Sequence, residues 1–193
     1  MELNRVIEKR HSTRSFGKKQ ASFKDVMLAI DYALQGPFAG NMNNIKFIII
    51  ENPETISRIA KCADQDWIAD ASIAVAVCSN DKFLEKQYQE RGIVYSRQQA
   101  GAAIMTFLLK LTDLELDSCW VGAFNDEPLR NTLDIPSDIN VEAIIPIGHE
   151  NPIKKREKPE KHALEKAIYW EKWNKPRRPA FFEDPDITHR QAY

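Results

Sequence analysis

The chain has 193 residues, 43% of them hydrophobic and 28% charged, an ordinary globular mixture with length enough for one domain and a real core. Its formal net charge of -1 gives no global pull toward nucleic acid or an anionic membrane, so an anion must be held by a local site. Three cysteines without metal-type spacing (Cys62, Cys78, Cys119) and four scattered histidines (His11, His149, His162, His189) argue against a metal centre and for reduced, buried thiols in a cytoplasmic protein.

In chain order, Met1–Arg10 carries charge on a helical pattern rather than the apolar run of a signal peptide. Leu3, Val6 and Ile7 at i, i+3, i+4 predict a one-sided helix of about two turns. It runs into Arg10-His11-Ser12-Thr13-Arg14, where planar guanidinium forks and hydroxyls crowd together, a set that suits a phosphate and equally describes a solvated basic turn. Ser22 with Asp25 resembles a capping box, and Val26, Met27, Ile30, Ala33 and Leu34 predict a second amphipathic helix stopped by Gly36-Pro37. The Gly-, Pro- and Asn-rich run from Gly36 to Asn44 is a loop feeding a strand over Phe47–Ile50. Its asparagines suit turns, and their carboxamides also suit the edge of a heterocycle.

Asn52-Pro53 starts a short helix with Ile56, Ile59, Ala60 and Ala63 on one face, and Ile73–Cys78 is a continuous apolar strand. Residues 82–97 form a mixed polar segment, with a break expected at Gly92. Between Ala100 and Leu109 there is no charge and no polar face, so this helix should be buried nearly all round. It is too short to span a bilayer, and a partner subunit is the natural cover for one side. Trp120–Phe124 reads as a buried strand ended by Asn125. A short helix carrying Leu129 and Leu133 follows, then a strand over Val141–Gly148 whose Pro146 argues for an edge or a strand end. Leu164, Ala167 and Ile168 suggest a helix, and a Pro- and charge-rich tail from Asn174 carries Phe181-Phe182. The order predicts an α+β fold, a sheet with helices packed on it. No Gly-x-Gly-x-x-Gly or Gly-x-x-x-x-Gly-Lys-Ser/Thr run signals a nucleotide site.

Four motifs, in order, resemble the nitroreductase-like FMN-dependent oxidoreductases. Arg10-His11-Ser12-Thr13-Arg14 is similar to their N-terminal phosphate motif, and Pro37 through Phe47 to their Pro-Ser-x-x-Asn-x-Gln-Pro-Trp-x-Phe run. Leu116–Phe124, with Ser118-Cys119-Trp120-Val121-Gly122-Ala123-Phe124, is similar to their central signature, and Asp134-Ile135-Pro136, Ala143–Gly148 and Lys154-x-Arg156 to their closing pattern. Phe38 departs from the usual Ser, and Asn44-Ile45 from Pro-Trp.

The resemblance implies a mainly antiparallel central sheet flanked by helices, with the long buried helix in a homodimer interface and FMN where the subunits meet. Residues 1–173 would form one FMN-binding domain and 174–193 an arm packing on the partner subunit. Arg10, Ser12 and Arg14, with His11 beside them, would hold the phosphate and ribityl end, joined by Lys154 and Arg156. Backbone N–H groups near Val121 and Gly122 would face the flavin N5 and O4 edge, with Asn41 and Asn43 beside the ring; Gln65 is a further candidate. NAD(P)H would reduce the flavin, and a nitroaromatic or quinone acceptor would reoxidise it in ping-pong order, with no protein acid or base and no metal. Two alternatives stay open: a flavin enzyme of the same fold with other chemistry (dehalogenation, enone reduction, flavin breakdown), and a non-catalytic FMN-binding protein.

Overall fold

The computed structural model describes residues 1–154 and 163–179. The chain divides after Arg156 into two compact units. In the first, the elements run α1 (Leu3–Lys9), α2 (Phe23–Ala33), β1 (Ile45–Ile50), α3 (Pro53–Cys62), β2 (Ile73–Ser79), α4 (Lys82–Tyr88), α5 (Glu90–Asp113), β3 (Asp117–Ser118), α6 (Asp126–Leu133) and β4 (Asn140–Gly148). The four strands form one sheet in the order β1-β2-β4-β3, and every pairing is antiparallel. This is the α+β architecture expected.

β2 is the centre of the molecule, with all seven residues buried. Side chains alternate across a strand, and β2 uses the two faces differently. Ile73, Val75 and Val77 join one core with Val26, Ala29, Ile104, Phe107 and Leu111 of α2 and α5. Ala74, Ala76 and Cys78 join the other with Ile56, Ile59 and Leu129 of α3 and α6. The sheet is therefore covered on both faces, which is why β2 reads as an unbroken apolar run. A bulge between Val77 and Cys78 shifts the β2–β4 register.

The cap of α3 forms as its sequence dictates. Asn52 Oδ1 accepts from the N–H groups of Glu54 (2.9 Å) and Thr55 (3.0 Å), and Pro53 takes a first-turn position where no N–H is needed. Asn52→Ala is expected to cost about 0.5–2 kcal/mol in urea unfolding, and Asn52→Gly only a few tenths. No loss in Asn52→Ala would show that this cap contributes nothing. Ser22, by contrast, caps α2 through its backbone carbonyl alone, with no side-chain bond.

Several local expectations are corrected. Only Val6 of α1 is buried; Leu3 and Ile7 are exposed. The break in residues 82–97 falls at Gln89, whose φ of 53° and ψ of -137° separate α4 from α5. Gly92 sits inside α5, where a Cβ would lie 2.3 Å from the Leu84 carbonyl carbon, so it is a point of backbone-to-backbone packing. α5 is longer than expected and is not buried all round: Met105 is 40% exposed, and a Cβ on Gly101 would meet nothing within 4 Å.

Trp120–Phe124 is not a strand. The ladder covers Asp117–Ser118, and only Val121 returns to it, through a bridge to Ile144. β4 is interior despite Pro146, because the Pro146 carbonyl accepts from Cys119 N–H and its missing donor faces the side where β3 has ended. In the second unit the expected helix is a single 3-10 turn, Leu164–Lys166. Tyr169 and Trp173 there pack edge to face at 4.9 Å. Phe181 and Phe182 lie outside the described residues.

Candidate functional site

After α1 the chain becomes an extended strip laced between β3 and the end of β4. Thr13 N–H donates to the Ser118 carbonyl at 3.0 Å, and Gly17 N–H to the His149 carbonyl at 2.8 Å. Asn151 N–H donates to the Ser15 carbonyl at 2.9 Å, while Glu150 N–H donates to Asp117 Oδ2 at 2.7 Å. Extended chain alternates its side chains. Thr13 therefore points inward and is buried, and Ser12 and Arg14 stand on the exposed side; Phe16 is buried too, so the alternation is broken before it.

His11 braces this strip. Its Nε2 lies 3.0 Å from Glu150 Oε1 and 3.2 Å from Thr13 Oγ1, and its Nδ1 lies 3.1 Å from the Lys9 carbonyl. The histidine thus ties the N-terminal strip to the residues that follow β4. Arg10 closes α1, donating its backbone N–H to Val6. Among the described residues neither Arg10 nor Arg14 has a carboxylate partner.

A residue that the sequence did not single out marks where these groups meet. Cys119 is buried beneath the strip, and burial pushes its thiol up, while Arg14, the Ser12 hydroxyl and Arg10 pull it partly back. With Ser12 bridged to Ser118 on the backbone, this puts Ser12 and Arg14 beside the thiol and Arg10 in the same neighbourhood, near the end of β3. The thiol itself is a neutral packing group. Cys78, on the buried strand β2, is pushed up to about 11 by burial, against the charge of Arg130.

Lys154 ends the turn Pro152–Lys154, which begins directly after Asn151 and so leaves from beside Ser15. Arg156 lies outside the described residues. Beyond Cys119, Val121 exchanges both backbone hydrogen bonds with Ile144, so its N–H is already used. Gly122 and Ala123 are exposed, and among the described residues the N–H groups of Gly122, Ala123 and Phe124 have no acceptor. Available donors therefore begin at Gly122, not at Val121. Gly122 lies three residues past Cys119, about 10 Å of extended chain.

The loop from Pro37 to Asn44 lies elsewhere. It leads into the Ile45 end of β1, and Ile45 pairs with Ser79. Ser118 pairs with Ile147, which pairs with Ile73 at the other end of β2. The loop and the strip thus sit at diagonally opposite corners of the sheet, three strand spacings apart (about 14 Å) and roughly 20 Å apart along the strands. Asn43 Oδ1 accepts from Ile45 N–H at 2.9 Å, a local turn bond. Asn41 is exposed, and its side chain makes no bond among the described residues. Asn44, which departs from the resembled motif, is buried and donates to Ser96 Oγ at 2.7 Å and to the Asn80 carbonyl at 3.1 Å. Gln65 is half-buried beside the turn Asp66–Asp70, its N–H donating to the Ala60 carbonyl.

Among the described residues no group of histidine, cysteine and acidic side chains could hold a metal ion, and no helix is long and apolar enough to cross a membrane.

The family model described as "Nitroreductase family" matches residues 7–70 and 60–149, well over half of the chain. The chain belongs to the nitroreductase family. Both the strip from His11 and the Cys119–Phe124 segment fall inside the matched residues of this oxidoreductase family. A relative from Archaeoglobus fulgidus, provisionally named NADH dehydrogenase/NAD(P)H nitroreductase, is 26% identical over 177 residues, covering 89% of this chain and 99% of its own. A nitroreductase family protein from Clostridium novyi NT shares the fold at a TM-score of 0.73 and 23% identity, over 91% of this chain and 96% of its own. A protein named FMN-dependent Nitroreductase from Clostridium difficile R20291 does so at 0.73 and 19%, over 87% and 98%. The nitroreductase fold thus accounts for the sheet and its helical covers.

Proposed function

We propose that this nitroreductase-family chain is an FMN-dependent oxidoreductase that takes electrons from NAD(P)H and passes them to a small organic acceptor. The observation that carries the reading is the gathering of Arg10, Ser12 and Arg14 around Cys119, with no carboxylate partner for either guanidinium group among the described residues. A phosphate dianion supplies the missing charge and accepts from planar forks and a hydroxyl together. Lys154, which ends the turn beside Ser15, would add to that charge, as would Arg156 by the family resemblance. The unbonded N–H groups from Gly122 onward lie at a distance that suits a ring carried on a ribityl chain. The relatives' names agree: one carries NAD(P)H, another FMN.

The protein's part is to hold the phosphate, present N–H donors to a ring that gains negative charge on reduction, and keep an open face for donor and acceptor in turn. Bound FMN would supply the redox chemistry itself, accepting hydride at N5 and releasing electrons to a nitroaromatic or quinone in ping-pong order. No acid or base of the chain is needed for that exchange. A cytoplasmic location belongs to the same reading.

Two features support a homodimer. Asn41 and the strip stand at opposite corners of one sheet, so a ligand touching both within one chain would have to cross its whole width. Val94, Gln98 and Met105 are exposed on one face of α5 with the half-buried Gly101 between them, an uncharged and largely apolar stripe such as a helix that meets a second copy would carry. Two copies facing across α5 would bring the Asn41 loop of one toward the strip of the other. The tail beyond Asn174 would then pack on the partner.

The purified protein is expected to show a yellow flavin spectrum that bleaches when NADH or NADPH is added without oxygen. A flavin spectrum that neither nucleotide bleaches would favour a non-catalytic FMN protein. A protein that takes up no FMN would end the flavin reading.

A further inference from the structure

The Asn41 loop contains two successive left-handed residues, Gly40 at φ 58° and Asn41 at φ 57°. Asparagine tolerates this region better than most residues but still needs the surroundings to hold it there. On one side Tyr88 closes over Gly40: a Cβ at that glycine would come within 2.7 Å of the Tyr88 hydroxyl oxygen. On the other side lies Gln99 of α5, only 4% exposed. Its Oε1 accepts from Ala39 N–H at 2.7 Å, and its Nε2 donates to the Met42 carbonyl at 3.3 Å and to Asn44 Oδ1 at 2.8 Å. The turn Ala39–Asn41 is therefore bracketed at both ends by one carboxamide. Asn44, bonded in turn to Ser96 Oγ, orients that carboxamide.

A buried glutamine needs partners, and these three satisfy one acceptor and both donors. The carboxamide of Asn41, on the crest of the same turn, is left outward and unbonded among the described residues. Asn43 has its oxygen engaged by Ile45 N–H, which leaves it less free to turn toward a ligand. We infer that Gln99 is a positioning residue that holds the Ala39–Asn41 turn in its left-handed form, so that the Asn41 carboxamide meets the flavin ring bound by a second copy of the chain. The inference rests on the FMN reading above and deepens it. It also assigns a task to the departure at Asn44, which keeps Gln99 aimed at the turn.

The test compares FMN affinity, by fluorescence quenching, and the position of the visible flavin band in four full-length proteins: wild type, Gln99→Leu, Asn41→Ala and the double variant. Each single variant is expected to bind FMN about tenfold more weakly, the loss of roughly one good hydrogen bond, and to shift the band in the same direction. Because Gln99 acts through Asn41, the double variant should bind no more weakly than Asn41→Ala alone. Wild-type affinity and band position in Gln99→Leu, or losses that multiply to about a hundredfold in the double variant, would overturn the inference. Should Gln99→Leu not fold by circular dichroism, Ser96→Ala gives the same comparison, with a loss of about threefold expected in the wild-type background and none beside Asn41→Ala. An equal loss in both backgrounds overturns the inference. A wild-type protein that binds no FMN would remove the flavin reading itself, which is a different failure from normal FMN binding by Gln99→Leu.

Discussion

Arg10→Ala combined with Arg14→Ala is expected to yield a folded protein that no longer retains FMN through gel filtration. A hydrogen bond to a charged group contributes about 1.5–3 kcal/mol, so losing both guanidinium groups should weaken binding by roughly 10²–10⁴-fold. Stability without FMN should stay within about 0.5 kcal/mol, because Arg14 is exposed and neither group has a carboxylate partner among the described residues. Arg14→Lys should fall between, since it keeps the charge and loses the planar fork. Weaker binding at higher salt should be lost in the double variant. Unchanged affinity would place the phosphate elsewhere and leave the convergence around Cys119 as a packing arrangement.

The second large effect is expected at Met105→Arg. Met105 lies on the exposed face of α5, four residues from Gly101, where a Cβ would find open space. In a single chain the arginine would reach solvent and the fold should survive. In a dimer that packs this face, it would bury an unpaired charge at a cost of several kcal/mol. The expected result is a single-chain mass by light scattering where the wild type shows two, together with loss of FMN uptake, because the two halves of the site separate. A variant that remains dimeric and still binds FMN would show that the site is not shared across α5. The two experiments separate causes, since the arginine pair is expected to act on phosphate binding and Met105 on the assembly.

Parts of this protein were legible because neighbouring residues settle them. Asn52-Pro53 marks the start of α3, since a cap is a contact between residues two or three apart. The unbroken apolar run at Ile73–Cys78 marks a strand covered on both faces. The order of strands and helices, with four ordered motifs, led to the family. Arg10, Ser12 and Arg14 were legible as candidates through their chemistry, and the fold brings them to one side of the strip.

Other features depend on partners far along the chain. Gly92 reads locally as a helix breaker, and only the packing of α4 shows that its missing side chain makes room for Leu84. Nothing local tells Gln99 from Gln98, just before the apolar run Ala100–Leu109. Gln99 is buried against Ala39 and Asn44, a pairing 55 to 60 residues distant. Trp120–Phe124 reads as core because apolar residues are usually inside, yet Trp120 is 41% exposed and the backbone beyond Val121 leaves the ladder. Pro146 argues for an edge until Cys119 is seen to take its carbonyl.

By itself, then, the sequence determined the order of strands and helices, the unbroken apolar run of β2 and the basic, phosphate-suited segment after α1. Periodicity, caps and side-chain chemistry are properties of residues close together in the chain. Tertiary structure alone decided that Arg10, Ser12 and Arg14 meet over Cys119, that free N–H donors begin at Gly122, and that the Asn41 loop stands at the opposite corner of the sheet. Those facts come from which strands lie side by side and in what register, and pairing between distant segments leaves no local trace in the chain.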